Sequence, residues 1–205
     1  MSIPLQEGVS IWKAAELRRP NSTGHSPWTL ASLGGLLSEL SEEVPCGATS
    51  FAVELIVEAQ ARGEPVAWIA GRGSIFYPPD FAECGVDLDG LAVVWAQGAA
   101  RSALATDQLL RSGAFGLIIV DLGTEWRVGD AALGRLTRLA ALHDSAVVFL
   151  TVKLRDEPSI GSMISLRGAV ASGSRLESVI RTVKDKRGTT DAVIRRDYDA
   201  PPGMR

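Results

Sequence analysis

The feature that most limits the fold of this 205-residue chain is a series of short apolar runs that lack polar alternation. Examples are "LIIV" at 117–120 and "AVVFLT" at 146–151. A strand with one solvent-facing side alternates apolar and polar residues, whereas a strand covered on both sides does not. Helical patterns separate these runs, and strand–helix alternation with right-handed crossovers builds a parallel sheet between helix layers. The sequence therefore predicts an α/β fold with an open, mostly parallel sheet flanked by helices.

The predicted elements alternate from residue 36 onward. After Ser162 the pattern changes to alternating apolar and polar residues separated by glycines, which predicts antiparallel strands that extend one edge of the sheet. Trp68 and Trp95 fall in predicted central strands and are expected in the core. The predicted strands are Leu36–Leu40, Val66–Ala70, Leu91–Trp95, Leu117–Val120 and Ala146–Thr151, and the predicted helices are Thr49–Arg62, Pro79–Cys84, Ala99–Ser112 and Val128–His143.

This pattern divides the chain into an arm, one domain and a tail. Residues 1–28 are expected to form an N-terminal arm, with a helical stretch "VSIWKAAELRRP" that Pro20 ends. The main domain is expected at 29–197. The last residues, 198–205, read "YDAPPGMR" and are expected to be flexible.

Composition excludes several function classes. The formal net charge is −3, whereas a chain that wraps nucleic acid is usually basic, so any DNA contact would need a local patch. The two cysteines and two histidines match no zinc spacing, and we expect no metal site. The chain shows neither a signal peptide nor a long apolar run, which predicts a soluble, cytoplasmic protein with no membrane contact.

The segment "LLSELSEEVPCGATSFAVELIVEAQ", Leu36 to Gln60, has the strand, tight loop and helix of a phosphate-binding loop. That motif is G-x-x-x-x-G-K-[ST], in which backbone amides cradle phosphate, the lysine reaches the outer phosphates and the hydroxyl holds magnesium. The second glycine is present as Gly47 and the hydroxyl as Thr49. Glu42 stands in place of the first glycine and Ala48 in place of the lysine.

These two replacements weaken the expected grip on phosphate. A lysine–phosphate contact contributes about 1.5–3 kcal/mol. A carboxylate ~4 Å from a phosphate charge costs about 4 kcal/mol at an effective dielectric constant near 20. The sum of about 5 kcal/mol corresponds to three to four decades in affinity, so we expect no tight ATP binding and no cofactor. For the loop taken alone, an ordinary strand-to-helix connection is the simpler alternative.

Further segments, in order, resemble the RecA-like ATPase core over about residues 30 to 188. They are "EPVAWIAGRG", "FAECGVDLDGLAVVWA", "LLRSGAFGLIIVDLG", "SAVVFLTVKLR" and "SVIRTVKDKRG". The resemblance implies that Asp121 matches the Walker B aspartate. It also implies that Lys184 and Lys186 match basic residues that contact a neighbouring subunit's nucleotide in RecA. An alternative for Asp121 is that it caps the turn after a buried strand.

The positions that depart from the RecA pattern are ones where RecA carries groups needed for ATP hydrolysis or DNA binding. Arg72 stands where the family carries a catalytic acid, and Val152 stands where it carries a glutamine that senses the terminal phosphate. The segments between Asp121 and Arg135 and between Lys153 and Met163, where RecA carries its DNA-gripping loops, are short. The resemblance therefore implies a RecA shape without hydrolysis and puts RecA-like DNA binding in doubt.

A narrower resemblance is to the ImuA-type mutagenesis accessory proteins. It rests on "WKAAEL", Thr23–His25, "VAWIAGRGSIFYPPDFAECGVDLDGLAVV" and "ALATDQLLRSGAFGLII". This resemblance implies a non-catalytic adaptor in error-prone translesion DNA synthesis during the SOS response to DNA damage. The partners that it implies are an ImuB-like inactive polymerase and RecA, with self-association also open.

Candidate contact residues lie in three places. In the arm, Trp12, Leu17, Arg18 and Arg19 are typical interface anchors, although Trp12 could instead pack on its own domain. Trp126, in the short loop after Asp121, is expected to be exposed. Basic residues near the C-terminal end, together with Lys153, could form a weak or indirect contact with DNA or a subunit. A solvated edge of mixed charge is the alternative. These basic residues are Arg181, Lys184, Lys186 and Arg187.

Two other functions remain open at this point. One is a weak ATP-binding RecA paralogue that modulates recombination on single-stranded DNA, using Thr49 and Asp121 with Lys184 and Lys186 supplied between subunits. The more distant one is a SulA-like inhibitor of cell division, since that class shares the RecA-like shape and lacks ATP binding.

Overall fold

The computed structural model of the protein describes residues 26–45, 47–172, 177–188 and 192–197. The arm residues Trp12, Leu17, Arg18 and Arg19 and the tail at 198–205 lie outside the described residues, as does Cys46.

Helices and strands alternate up to β5, as the sequence predicts. β1 and β4 run past their predicted ends to Glu42 and Gly123, and a short unpredicted helix, α1, is capped by the Thr29 side chain. None of the helices in the described part of the chain is long and apolar enough to cross a membrane. The helices are α1 (Leu30–Leu33), α2 (Ala48–Ala61), α3 (Pro78–Glu83), α4 (Ala99–Ser112) and α5 (Asp130–His143). The strands are β1 (Leu37–Glu42), β2 (Val66–Ala70), β3 (Leu91–Trp95), β4 (Leu117–Gly123), β5 (Ala146–Val152), β6 (Leu166–Ser172), β7 (Glu177–Asp185) and β8 (Val193–Asp197).

The strands form one 8-stranded sheet in the order β3-β2-β4-β5-β1-β6-β7-β8. From β3 to β6 all neighbours are parallel, and β7 and β8 continue the sheet in antiparallel pairing. The predicted antiparallel pairing is therefore confirmed for β6, β7 and β8. β6 also pairs in parallel with β1, which the sequence pattern did not predict, because alternation reports exposure and not strand direction.

The core lies in two layers, one on each face of the sheet. On one face α1, α2 and α3 pack over a cluster that includes Trp68 and the buried Trp28, whose Nε1 donates a hydrogen bond to Thr182 Oγ1 at 3.3 Å. On the other face α4 and α5 pack over a cluster that includes Val120 and Phe149. Strand residues therefore face apolar layers on both sides, which explains the unbroken apolar runs in the sequence.

The expectation that both strand tryptophans are core residues is half correct. Trp68 is fully buried, but Trp95 is 69% exposed. Among the strands that the structure describes, β3 lies at the edge of the sheet and pairs with β2 alone, and Trp95 is its last residue. A short apolar run does not reveal whether its strand is central or at an edge, and this is why the prediction for Trp95 is wrong.

Candidate functional site

The loop between β1 and α2 has the predicted strand–loop–helix layout. Gly47 is the residue before α2, and it is packed against the antiparallel strand β7. A Cβ at this position would lie 2.2 Å from Ser178 Oγ and 2.8 Å from Ser178 Cβ. Close packing by β7 therefore requires glycine here, for a reason that is independent of phosphate.

The Glu42 carboxylate lies at the N-terminus of α2. Its Oε2 accepts hydrogen bonds from the backbone N–H groups of Gly47, at 3.1 Å, and Ala48, at 3.0 Å. Glu42 is buried, and a helix N-terminus favours a negative charge. These are the amide positions that would cradle a phosphate group in an active phosphate-binding loop. We call the N–H groups of Gly47 and Ala48 the cradle, and the Glu42 carboxylate occupies it in place of a phosphate group. The sequence predicts only that Glu42 repels phosphate.

The other loop positions complete this picture. Ala48 is buried, and its methyl group offers nothing that reaches outward. Thr49 is half-buried in the first turn of α2. Val152 ends β5 and pairs in register with Glu42, so an apolar side chain stands beside the cradle where the resemblance expects a glutamine.

Asp121 holds the loop after β2 in place. The Ser74 hydroxyl donates to Asp121 Oδ2 at 2.5 Å, and the Gly71 N–H donates to the Asp121 carbonyl at 2.8 Å. Burial raises the pKa of Asp121; the Ser74 hydrogen bond opposes the rise, and the negative charge of Glu42 adds to it. Glu42 and Asp121 therefore act on each other at the carboxyl ends of the strands. Within the described residues, no group of three or more His, Cys, Asp or Glu side chains is placed to hold a metal ion.

The approach of this loop to β4 fixes one more glycine. A Cβ on Gly71 would lie 2.4 Å from the Asp121 carbonyl oxygen. The next residue, Arg72, is exposed and pairs with Glu125 at 3.7 Å. A guanidinium does not accept a proton, so Arg72 is unable to replace the catalytic acid that the resemblance expects at this position.

Lys153 does not belong to a surface patch, contrary to expectation. It is buried, forms an ion pair with Glu39, and donates from Nζ to the Pro158 carbonyl at 2.7 Å. Its Nζ also lies 4.3 Å from the centroid of the Trp126 ring. Burial lowers the pKa of Lys153, and the neighbouring Glu39 carboxylate opposes that shift. A buried cation is retained only with such partners, and these partners turn Lys153 inward.

A second buried cation, Arg167, completes a polar network under the segment at 153–165. Its Nε donates to Ser41 Oγ at 3.1 Å, and its terminal nitrogens donate to the carbonyls of Glu157, Leu154 and Arg155. Glu39 also accepts from Thr151 Oγ1 at 3.0 Å and from the Ile160 N–H at 3.1 Å. Sequence reasoning missed this network, although the available signal was a charged residue, Glu39 or Arg167, inside a strand that is covered on both faces.

The remaining candidate residues are dispersed. Trp126 is half-buried and packs against the α4–α5 side of the core, so it is not fully exposed. Arg181 is exposed on β7, whereas Lys184 is half-buried, and burial, followed by the charge of Lys186, lowers its pKa. Arg187 Nη1 donates to the Ser32 carbonyl at 2.6 Å and its Nε pairs with Asp185 at 3.3 Å, which ties this end of β7 to α1.

Comparison with known proteins places the chain near RecA. No protein-family model matches it. It is 28% identical to the RecA protein of Nocardia farcinica over 223 residues, which cover 93% of this chain and 63% of that protein. It is 28% identical to the RecA protein of Mycobacterium tuberculosis over 214 residues, which cover 88% of this chain and 27% of that protein. It is 27% identical to the RecA protein of Chlorobium limicola over 154 residues, which cover 75% of this chain and 41% of that protein.

The chain therefore spans between 27% and 63% of the length of these RecA proteins. Its sequence is distantly similar to that of RecA, and its α/β fold is RecA-like.

Proposed function

We propose that this protein is a non-catalytic accessory protein of DNA repair, which acts in error-prone translesion synthesis by binding an ImuB-like inactive polymerase and RecA. Support comes from the distant relationship to RecA and from the sequence resemblance to ImuA-type proteins. The observation that best supports a non-catalytic role is that the Glu42 carboxylate accepts hydrogen bonds from the backbone N–H groups of Gly47 and Ala48. Its proposed place of action is the cytoplasm, because RecA acts there.

The filled cradle opposes nucleotide binding in a specific way. An incoming phosphate must displace a carboxylate that accepts two backbone hydrogen bonds, each contributing about 1.5–3 kcal/mol when one partner is charged. Ala48 provides no lysine to compensate, and Arg72 provides no general base. Asp121, bound to Ser74, is not free to hold a hydrated magnesium ion without breaking that contact. The resulting surface keeps the RecA-like shape for protein contacts.

Co-purification tests this function directly. The tagged full chain is incubated separately with the ImuB-like protein and with RecA, each with and without single-stranded DNA and without added nucleotide. We expect both partners to be retained without ATP. Retention of neither partner would overturn the proposed function.

A deletion variant tests the arm. Removal of residues 1–20 takes away Trp12, Leu17, Arg18 and Arg19. We expect loss of binding to at least one partner, with an unchanged circular dichroism spectrum as the control for folding. Unchanged binding would contradict a role for the arm but not the accessory function itself.

The second candidate function is weak ATP binding, which the retained Thr49 and Asp121 favour. Isothermal titration calorimetry with ATP and magnesium separates the two candidates. We expect no binding with a dissociation constant below about 10 μM. Tighter binding would favour the ATP-binding RecA paralogue. In that case Lys184 and Lys186 become candidates for contacts between subunits.

A further inference from the structure

The helices α4 and α5 lie side by side on one face of the sheet, and each exposes one line of side chains. Positions three and four residues apart lie on the same side of a helix, so each line forms a continuous stripe. We call the two stripes together the α4–α5 surface. The stripe on α4 consists of Arg101, Leu104, Gln108 and Arg111, and the stripe on α5 consists of Ala131, Arg135, Arg138 and Leu142.

The α4–α5 surface is basic on a chain that is acidic overall. Its stripes contain arginines and no acidic residue, although the whole chain has a net charge of −3. Asp107 lies buried beneath the stripes, and Asp130 is exposed at the first turn of α5. Asp144, also exposed, follows the end of α5. The two helices contain Arg101, Arg111, Arg135 and Arg138 against Asp107 and Asp130, which leaves a net charge of +2.

Asp107 fixes two of these arginines in place. Its Oδ2 accepts from Arg111 Nε at 2.7 Å and its Oδ1 accepts from Arg135 Nε at 2.6 Å. The Arg111 hydrogen bond lowers the pKa of Asp107, with burial acting in the opposite direction, so the bridge stays charged near neutral pH. Among the described residues, the terminal Nη groups of both guanidiniums make no hydrogen bond. The Nη groups of Arg111 and Arg135, one guanidinium from each helix, are therefore oriented and free to donate hydrogen bonds to carboxylate or phosphate oxygens.

Two exposed leucines on the stripes favour a protein partner over a nucleic acid. Leu104 is 50% exposed and Leu142 is 73% exposed. On α4, Leu104 lies one turn from Arg101 and two turns from Arg111, so the apolar contact and the charges lie along one line. A phosphate backbone would pair with the arginines but would leave both leucines uncovered. A protein segment that combines carboxylates and apolar side chains would satisfy both features.

We propose that the α4–α5 surface binds an acidic amphipathic helix of a partner protein, whose carboxylates pair with the arginines and whose apolar residues cover Leu104 and Leu142. This inference rests on the proposed accessory function and adds the surface and the chemistry of the partner's segment. The Asp107 bridge between Arg111 and Arg135 joins the two stripes, so a helix lying along them would contact both.

The test uses the full chain with the ImuB-like protein and with RecA, each measured by biolayer interferometry. Arg101 and Arg138 make no hydrogen bond or ion pair within the described part of the chain, so the double variant Arg101→Glu/Arg138→Glu should fold normally. We expect it to weaken binding to at least one partner tenfold or more. Arg155→Glu reverses one exposed arginine that lies outside both helices, and it should bind as the wild type does.

The outcomes separate the surface from the function. If the wild-type chain binds neither partner, the proposed function fails. If the wild-type chain binds and Arg101→Glu/Arg138→Glu binds equally well, the surface inference fails while the function stands. If the charge-reversed protein proves unfolded, Leu104→Ser/Leu142→Ser replaces it, and equal binding by that variant overturns the inference.

Two further measurements detect other occupants. Loss of affinity for a short DNA duplex by Arg101→Glu/Arg138→Glu, with unchanged protein binding, would identify a nucleic-acid surface and overturn the proposal. Sedimentation velocity would identify a second copy of the chain as the occupant if the wild type forms dimers and the variant is monomeric. We expect both measurements to be unaffected by the substitutions.

Discussion

A single side chain, Glu42, determines what the loop after β1 holds. The two backbone N–H groups that it occupies point to the place where an anion is stabilised at the N-terminus of α2. A glycine at position 42 would leave them without this carboxylate. Because the carboxylate is built into the strand, it is present at an effective concentration that no free nucleotide reaches in the same loop. Phosphate binding is therefore opposed mainly because the Glu42 carboxylate competes for the same two N–H groups, and less because the two negative charges repel each other.

We expect Glu42→Gln to destabilise the protein, because the amide keeps an acceptor oxygen but loses the charge that faces the helix N-terminus. The free energy of unfolding should fall by about 1–3 kcal/mol, because two hydrogen bonds to a charged acceptor, about 1.5–3 kcal/mol each, become neutral ones, about 0.5–1.5 kcal/mol each. Urea denaturation followed by circular dichroism measures this. Glu83→Gln, at an exposed glutamate in α3, should change it by less than about 0.5 kcal/mol. Equal effects of the two substitutions would show that the Glu42 contact contributes nothing.

Asp121 gives a pH-dependent prediction. Its pKa is raised from the ordinary value of 3.8, chiefly by burial. The folded state therefore binds this proton more tightly than the unfolded state does. The resulting stability is fully present below pH 3.8 and is lost as pH rises through the raised folded-state pKa. Asp121→Asn removes the titration and keeps an acceptor for Ser74.

We therefore expect Asp121→Asn to gain stability relative to the wild type as pH rises from about 4 to 7. Urea denaturation at intervals over this range measures the difference. Asp89→Asn, at an exposed aspartate, serves as the control. If the unfolding free energy of Asp121→Asn minus that of the wild type stays constant or falls as pH rises over this range, burial is not the cause of the raised pKa of Asp121.

At the scale of elements, the segment at 153–165 is the part whose role changes most relative to the sequence resemblance. RecA carries a DNA-gripping loop at this place. Here buried Lys153 and Arg167 bind the segment's own carbonyls and hold it against the ends of β1, β5 and β6. The cationic groups of Lys153 and Arg167 are therefore buried in internal contacts and are not available to bind nucleic acid.

We expect Lys153→Met to loosen this segment. Removing one partner of a buried ion pair leaves the other charge uncompensated, which costs about 3–5 kcal/mol. The free energy of unfolding should fall by that amount, and trypsin should cleave faster after Arg155. Lys186→Met, at an exposed lysine, should leave both unchanged. Because Glu39→Gln/Lys153→Met removes both charges, it should lose less stability than Lys153→Met alone, and a larger loss would contradict the ion pair's role.

The elements also mark where sequence reasoning succeeds and where it fails. The parallel strands were predictable because burial on both faces leaves unbroken apolar runs, and the loop around Glu42 was predictable from motif spacing. The exposure of Trp95 and the parallel pairing of β6 with β1 depend on neighbours distant in sequence. The inward orientation of Lys153 depends on its pairing with Glu39, which is distant in sequence, and no local pattern predicts such a pairing.

Across the whole molecule, the sheet separates two surfaces. The cradle of Glu42 and Asp121 lies at the carboxyl ends of the strands on the side of α2, whereas the α4–α5 surface lies on the opposite face. Substitutions at sites that share no partners act nearly independently. Substitutions that test nucleotide binding at the Glu42 loop should therefore leave partner binding at the α4–α5 surface unchanged, and the reverse should also hold.

We expect Glu42→Gly/Ala48→Lys to gain ATP binding, because the substitutions empty the cradle and restore the lysine that reaches the outer phosphates. The gain should be about tenfold or more in affinity, corresponding to about 1.4 kcal/mol or more, measured by calorimetry with ATP and magnesium. Affinity for the partner that binds the α4–α5 surface should not change, since that surface is on the other face of the sheet. Glu42→Gly alone serves as the control for the lysine and should bind ATP more weakly than the double variant. If the double variant folds like the wild type and still binds no ATP, then the carboxylate is not what keeps phosphate out, and the close packing of Gly47 against Ser178 of β7 becomes the physical explanation.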